Sequence, residues 1–200
     1  MRLHHLCRAV VAIAAAAPTA VFAHAGHGGA GDAWHGFMHP IGGLDHVLAM
    51  IAVGVIAVRL GGRALWALPA SFVAAMAIGA ALGMAGLVLP GPEATIALSV
   101  IVLGALIALP VRPTTVLAAV IVAGFAICHG YTHGLEMDSA RSGVAFGLGF
   151  MSATALLHLT GIGLGLGSAH IGVSLYGRMA RAGGSAVALV GVALLASRLG

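Results

Sequence analysis

Two short stretches hold most of the side chains able to do chemistry: WHGFMHPIGGLDHVLAM at 34–50 and CHGYTHGLEM at 128–137. In the first, His39, Gly43, His46 and Met50 follow one another at offsets of four, three and four, which on a helix is one face. His35 lies a turn earlier, and Asp45 stands beside His46. In the second, His129, His133 and Glu136 are spaced by four and three, again one helical face. Imidazole with carboxylate is a donor set for divalent first-row metals: imidazole suits Ni, Co, Zn and Cu(II), and carboxylate adds attraction for a doubly charged ion. No thiolate pair accompanies them, which argues against a structural zinc or Cu(I) site.

Such residues are out of place in their surroundings. The 200-residue chain is 60% hydrophobic and 7% charged, with a mean hydropathy of +1.10. Long, Gly-rich apolar stretches with so little charge indicate an all-α integral membrane protein. The alternation of an outer-membrane barrel is missing. The nine cationic side chains are all Arg and are scattered between apolar segments, without a basic cluster or stacking aromatics, so nucleic acid is not an expected partner.

Residues 1–23 read as a secretory signal peptide: Arg2 and Arg8, an apolar core, then PTAVFA with small residues for cleavage before His24. Removal of Cys7 with it leaves Cys128 as the single cysteine of the mature chain, so an internal disulfide is excluded. Residues 24–36 form a Gly/His-rich segment, expected to be periplasmic. Residues 37–200 then carry six apolar segments: about Phe37 to Val58, Ala64 to Leu89, Glu93 to Leu109, Thr114 to Leu135, Val144 to Leu166 and Ala182 to Leu199. The expectation is a six-helix transmembrane bundle, with a short interfacial helix between the fifth and sixth segments. Pro40 disfavours helix at His39, so the first helix is expected to begin at Pro40 with His39 in an extended lead-in. Asp45 then falls near the positive end of the helix dipole.

Arg59, Arg63, Arg112, Arg178 and Arg181 lie in the odd-numbered connections, and Arg141 lies in an even one. The positive-inside rule puts the odd connections in the cytoplasm, so both mature termini are expected to be periplasmic in the inner membrane. The two polar faces then lie at one depth in the outer half of the bilayer. GGLDH in segment one and HGLEM in segment four, three spans apart, are compatible with a 3+3 inverted repeat.

Plainer roles compete for each residue. His39 and His46 could hydrogen-bond across helices, and Asp45 or Glu136 could pair with an Arg. Met50 and Met137 are ordinary packing residues, and Cys128 is a small apolar one. His158 stands alone with Thr154 one turn before it; structure and function weigh evenly, and as a functional group it would be a second station toward the cytoplasm. His24, His27 and His35 could gather metal at the exposed N-terminus. Asp138 and Glu93 read as solvated loop acids. Taken together, four His and two carboxylates on two faces at one depth are hard to explain by packing.

HPIGGLDH followed by CHGYTHGLE resembles the HupE/UreJ family of bacterial membrane proteins, with its motifs HPxxGxDH and HGxxHGxE. The resemblance implies six mature spans, nickel uptake for hydrogenase and urease maturation (cobalt in some members), and His39, Asp45, His46, His129, His133 and Glu136 as the residues of metal passage. The first motif also looks like the HxxxxDH signature of nickel/cobalt transporters, but here five residues separate His39 from Asp45.

The leading expectation is therefore an inner-membrane permease, not an enzyme, carrying Ni²⁺, or else Co²⁺ or Zn²⁺, inward as cargo, with no tightly bound cofactor. The lipid bilayer is its setting; a homo-oligomer or a metallochaperone are further partners it could have. The main alternative is an intramembrane zinc-dependent hydrolase using the same cluster. A metal sensor or an assembly partner is a third. No phosphate-binding GxxxxGK[ST] motif is present, so coupling to ATP within the chain is not expected.

Overall fold

The computed structural model describes residues 30–136, 143–169 and 173–199, and in these every regular element is an α-helix. The signal peptide, His24, His27, Met137, Asp138, Arg141 and His170 lie outside the described residues. The order is α1 Ala30–Gly42, α2 Leu44–Leu60, α3 Ala64–Met84, α4 Pro92–Ala108, α5 Thr115–Glu136, α6 Gly143–Ala169 and α7 Val173–Leu199. Four of them, α3, α5, α6 and α7, are long and apolar enough to cross a membrane, and the bent α1–α2 pair would make a fifth. At 17 residues, α4 is apolar but shorter. The outward faces carry exposed apolar side chains such as Val116, Val120, Val144 and Leu189, as lipid contact requires. Exposed Trp34 and Trp66 lie near opposite ends of the bundle, where interfacial aromatics belong.

Two sequence expectations change. The first helix does not begin at Pro40. Both His39 and Pro40 lie within α1, and the break falls at Gly43, whose extended backbone (φ −99°, ψ 118°) turns α2 by 81° relative to α1. Tertiary packing explains this. Gly36 and Gly149 let α1 and α6 touch backbone to backbone, against Phe146 and Ala33, so the turns before Pro40 are held as helix. The chain breaks instead at the glycine pair 42–43, where an extended backbone costs little. The second change is at the other end: residues expected to form a connection and a separate interfacial helix are the first turns of a continuous 27-residue α7. Gly184, inside the GG pair that reads as a breaker, packs against the backbone of α4 at Gly104 and Ala108.

Small residues set the helix spacing elsewhere too. Gly79 and Gly83 of α3 lie against the carbonyls of Ile127 and Tyr131, while Gly130 and Gly134 of α5 lie against Met76 and Ala80. The result is a reciprocal GxxxG seam, and α3–α5 is the most extensive helix pair of the bundle. The buried layer between helices includes Met50, Val53, Leu68, Phe72, Val100, Leu103 and Val122.

Polar anchors mark the two ends. At one, the Arg59 guanidinium donates to the carbonyls of Leu106 and Ile107 (2.5 and 2.6 Å) and to that of Leu109, covering the negative C-terminus of α4. The α2–α3 and α4–α5 connections therefore share one end. At the other, Tyr131 donates to the Leu87 carbonyl (2.7 Å) and accepts from the Leu89 amide (3.1 Å), tying α5 to the α3–α4 loop.

A Leu at position 79 would collide with the Ile127 backbone, which cannot swing away. Gly79→Leu is expected to destabilise the folded chain by about 1–3 kcal/mol or more, read as a lower melting temperature in detergent. Gly124→Ala, on α5 with open space around it, should be neutral or slightly stabilising.

Candidate metal-ion site

The 81° bend brings α1 back over the head of α2, so His39 and His46 meet from two helices and not from one continuous face. His129 and His133 reach the same place from α5. The rings form a connected group: His39 to His133 at 4.6 Å between centroids, His46 to His133 at 4.7 Å and His46 to His129 at 4.7 Å. Phe150 of α6 closes one side, 4.5 Å from the His133 ring. His129 is fully buried and His46 and His133 nearly so, while His39 is exposed at the mouth. The mouth is a cleft of about 390 Å³ lined by His39, Asp45, His46, Glu93, Thr132, His133 and Arg198.

Hydrogen bonds assign the tautomers. A carboxylate can only accept, so the His46 Nδ1–H donates to Asp45 Oδ1 at 2.7 Å. The His46 Nε2 lone pair then faces His133 Nε2, 2.7 Å away, which supplies the proton between them. The Ser99 hydroxyl donates to the Ile96 carbonyl (2.6 Å) and accepts from His129 Nε2–H (3.0 Å). This leaves the buried His129 Nδ1 lone pair without a partner among the described residues.

Asp45, in the first turn of α2, is spent on both oxygens. Oδ1 takes the His46 ring and the His46 amide (2.8 Å), and Oδ2 takes Arg198 from the last turn of α7 (2.8 Å). The plainer role weighed for Asp45, pairing with an Arg, is thus present in the structure. Its other contact is the carboxylate–histidine pattern that orients metal-binding imidazoles. Arg198 also reaches Glu93 Oε2 at 3.0 Å. Glu93, which reads as a solvated loop acid, is largely exposed but belongs to the cleft. Glu93, Ser99 and Arg198 are the polar residues that sequence reasoning passed over. Glu93 follows Pro92 at a helix start facing the same end as Asp45, and that signal was available; Arg198 had none.

The other expected residues fall as follows. Glu136 is the last residue of α5, and its side chain lies outside the described residues. His35 is exposed on α1, away from the ring group, and Met50 is buried in the core. Cys128 is a half-buried free thiol.

Among the described residues, no three His, Cys, Asp or Glu side chains are set as a ready-made metal cage. The reason is visible at the centre. Two imidazole nitrogens on one metal, with bonds of about 2.0–2.1 Å, stand roughly 2.9–3.4 Å apart. The 2.7 Å between His46 and His133 is a hydrogen bond's length. For both nitrogens to hold one metal, the rings would have to part by about half an ångström and the shared proton would have to leave the gap.

This is a multi-pass helical membrane protein with an imidazole–carboxylate group embedded at one end of its bundle. It belongs to the HupE/UreJ family: the family model described as HupE / UreJ protein matches residues 11–194. The chain is also 44% identical over 183 residues to Protein HupE of Rhizobium leguminosarum bv. viciae, covering 91% of this chain and 93% of that protein. No solved structure matches it.

Arg198→Gln should destabilise the chain by about 1–3 kcal/mol, between the values for exposed and buried ion pairs, because Asp45 keeps its burial and loses a cation. Combined with Asp45→Asn, the two losses are expected to be non-additive by at least about 0.5 kcal/mol in a double-mutant cycle of thermal unfolding; simple addition would dissociate Arg198 from the site.

Proposed function

We propose that the protein is an inner-membrane permease that moves a divalent transition-metal ion, Ni²⁺ in the first place and Co²⁺ next, from periplasm to cytoplasm for metalloenzyme maturation, and that it is not an enzyme. The observation that carries the reading is the meeting of His39, His46 and His133 with Asp45 in one cleft, with His129 buried directly behind His46, at the end of a lipid-facing bundle. Membership of the HupE/UreJ family supports it.

The topology we propose counts α1–α2 as one bent span and α4 as a short one, giving six. The cleft then faces the periplasm. The Arg59 end, with Arg63 and Arg112 close in sequence to it, faces the cytoplasm, in keeping with the positive-inside rule. An inverted 3+3 repeat accounts for the three most extensive pairings: numbering these spans in order, the second packs on the fourth as the first packs on the fifth, and the third packs on the sixth. The lesser contacts depart from it, since the first span touches the second and third while the fourth touches neither the fifth nor the sixth among the described residues.

In this reading the ion enters past His39 and trades water for the imidazoles. Asp45 keeps the His46 Nε2 lone pair turned inward and supplies negative charge, and Glu136, at the end of α5, adds the second acid. Imidazoles backed by one or two carboxylates bind well enough to strip water and release faster than thiolates would. The inward-negative potential favours entry of a dication by ~4.6 kcal/mol per 100 mV, twice the single-charge value, so no ATP coupling is needed.

Cells expressing the chain should accumulate radioactive Ni²⁺, and His46→Ala or His133→Ala should lower accumulation at least about tenfold at equal protein in the membrane. Unchanged uptake in both variants would refute the permease and favour a hydrolase or assembly role. Competition by Co²⁺ and Zn²⁺ in the same assay ranks the cargo.

A further inference from the structure

His158 of α6 takes no part in the cleft yet is as unusual as the residues that do. It is 1% exposed, and neither ring nitrogen has a hydrogen-bond partner among the described residues. A neutral imidazole carries one donor and one acceptor, so here both are stripped of water with nothing in return. An apolar side chain would fill the space without that penalty. A buried group left in this state in a membrane bundle is there for a ligand.

Its surroundings supply a path and a further donor. The Phe72 ring, fully buried, stands edge-on to His158 at 5.0 Å between centroids and lies 5.7 Å from His129. His129 is the innermost imidazole of the cleft group and holds the unpartnered Nδ1. Phe72 thus touches both imidazoles that carry an unpartnered buried nitrogen. One turn along α3 from Phe72 is Met76, and one turn back along α6 from His158 is Thr154. Both are buried, with Thr154 Oγ1 3.8 Å from Met76 Sδ. The His158 carbonyl rests against Gly54, eight residues beyond His46 on α2, which at ~1.5 Å per residue is about 12 Å deeper in the bundle.

We propose that His158 and Thr154 form an inner station for the transported dication, set off from the cleft by the Phe72 ring, whose rotation opens the way between them, with Met76 beside Thr154 on the cleft side. This rests on the permease reading and deepens it. The donors are an imidazole nitrogen and a hydroxyl oxygen, and the imidazole selects borderline ions such as Ni²⁺, Co²⁺ or Zn²⁺ over Mg²⁺ or Ca²⁺. Both donors are neutral. The cleft has Asp45, so the inner station binds the same ion more weakly. Affinity that falls from the outer site to the inner one lets the ion leave toward the cytoplasm.

The test uses the full chain in detergent, with Co²⁺ alone as probe. Wild type should show two binding events. The weaker is lost in His158→Gln and kept in His46→Ala, and excess Mg²⁺ displaces neither. In cells, His158→Gln should lower Ni²⁺ uptake at least about tenfold while leaving the tighter event in place. A single event in wild type, or a weaker event that survives His158→Gln with normal uptake, overturns the inner station while leaving the permease standing. The wild-type titration decides this even if the variant fails to assemble. A wild-type chain that neither binds Co²⁺ nor accumulates Ni²⁺ removes the permease reading and the inner station with it.

Discussion

Asp45 has to be neutralised, and much of the cleft follows from how that is done. A carboxylate near the membrane-embedded head of a helix is tolerated only with partners on both oxygens, since an unpaired one costs several kcal/mol. The chain meets the demand with the His46 ring on one oxygen and Arg198 on the other. The first contact sets the His46 tautomer and turns Nε2 toward His133. The second brings the last turn of α7 to the head of α2, across nearly the whole length of the sequence, and Arg198 extends the same link to Glu93 at the start of α4. Three helix ends are thereby gathered at one mouth around the Arg198 guanidinium.

The scaffold that holds this mouth has few large interdigitating side chains at its tightest seams. Between lipid-facing helices burial supplies no hydrophobic force, so close backbone approach and dispersion do the holding. The glycines of α3 and α5 bring those backbones together, and the same device recurs between α1 and α6 and between α4 and α7. One consequence is chemical. With α5 drawn against α3, His129 emerges beside Phe72, and the imidazoles with that ring form a file that runs from the exposed His39 down to the buried His158.

Much of this was legible in the residues. Apolar segments at near-regular intervals, broken by Gly, Pro and Arg, gave helices α4 to α6 close to their observed limits and α3 its start, because hydrophobic length is a local property. The spacing of His129 and His133 on one face held, because α5 is an uninterrupted helix there. The face assigned to His39 and His46 did not. It assumed a continuous helix, and the bend at Gly43 was chosen by the packing of α1 on α6, which no local rule contains. The extent of α7 was missed for the same reason: a GG pair reads as a break until a partner helix fills the groove beside it. Glu93 looked solvated because it sits at a helix end, and only the fold makes that end a neighbour of Arg198.

What the amino-acid sequence determined alone is the solvent the chain is built for and the donor chemistry it carries, since hydropathy and ligand type are properties of residues and of spacings within a turn or two. The tertiary structure decided which donors meet, which nitrogen of each imidazole is free, and that an arginine from the far terminus closes the charge on Asp45. Those are matters of distance between helices, fixed by glycine contacts and one backbone break, and they come into being only when the helices are packed.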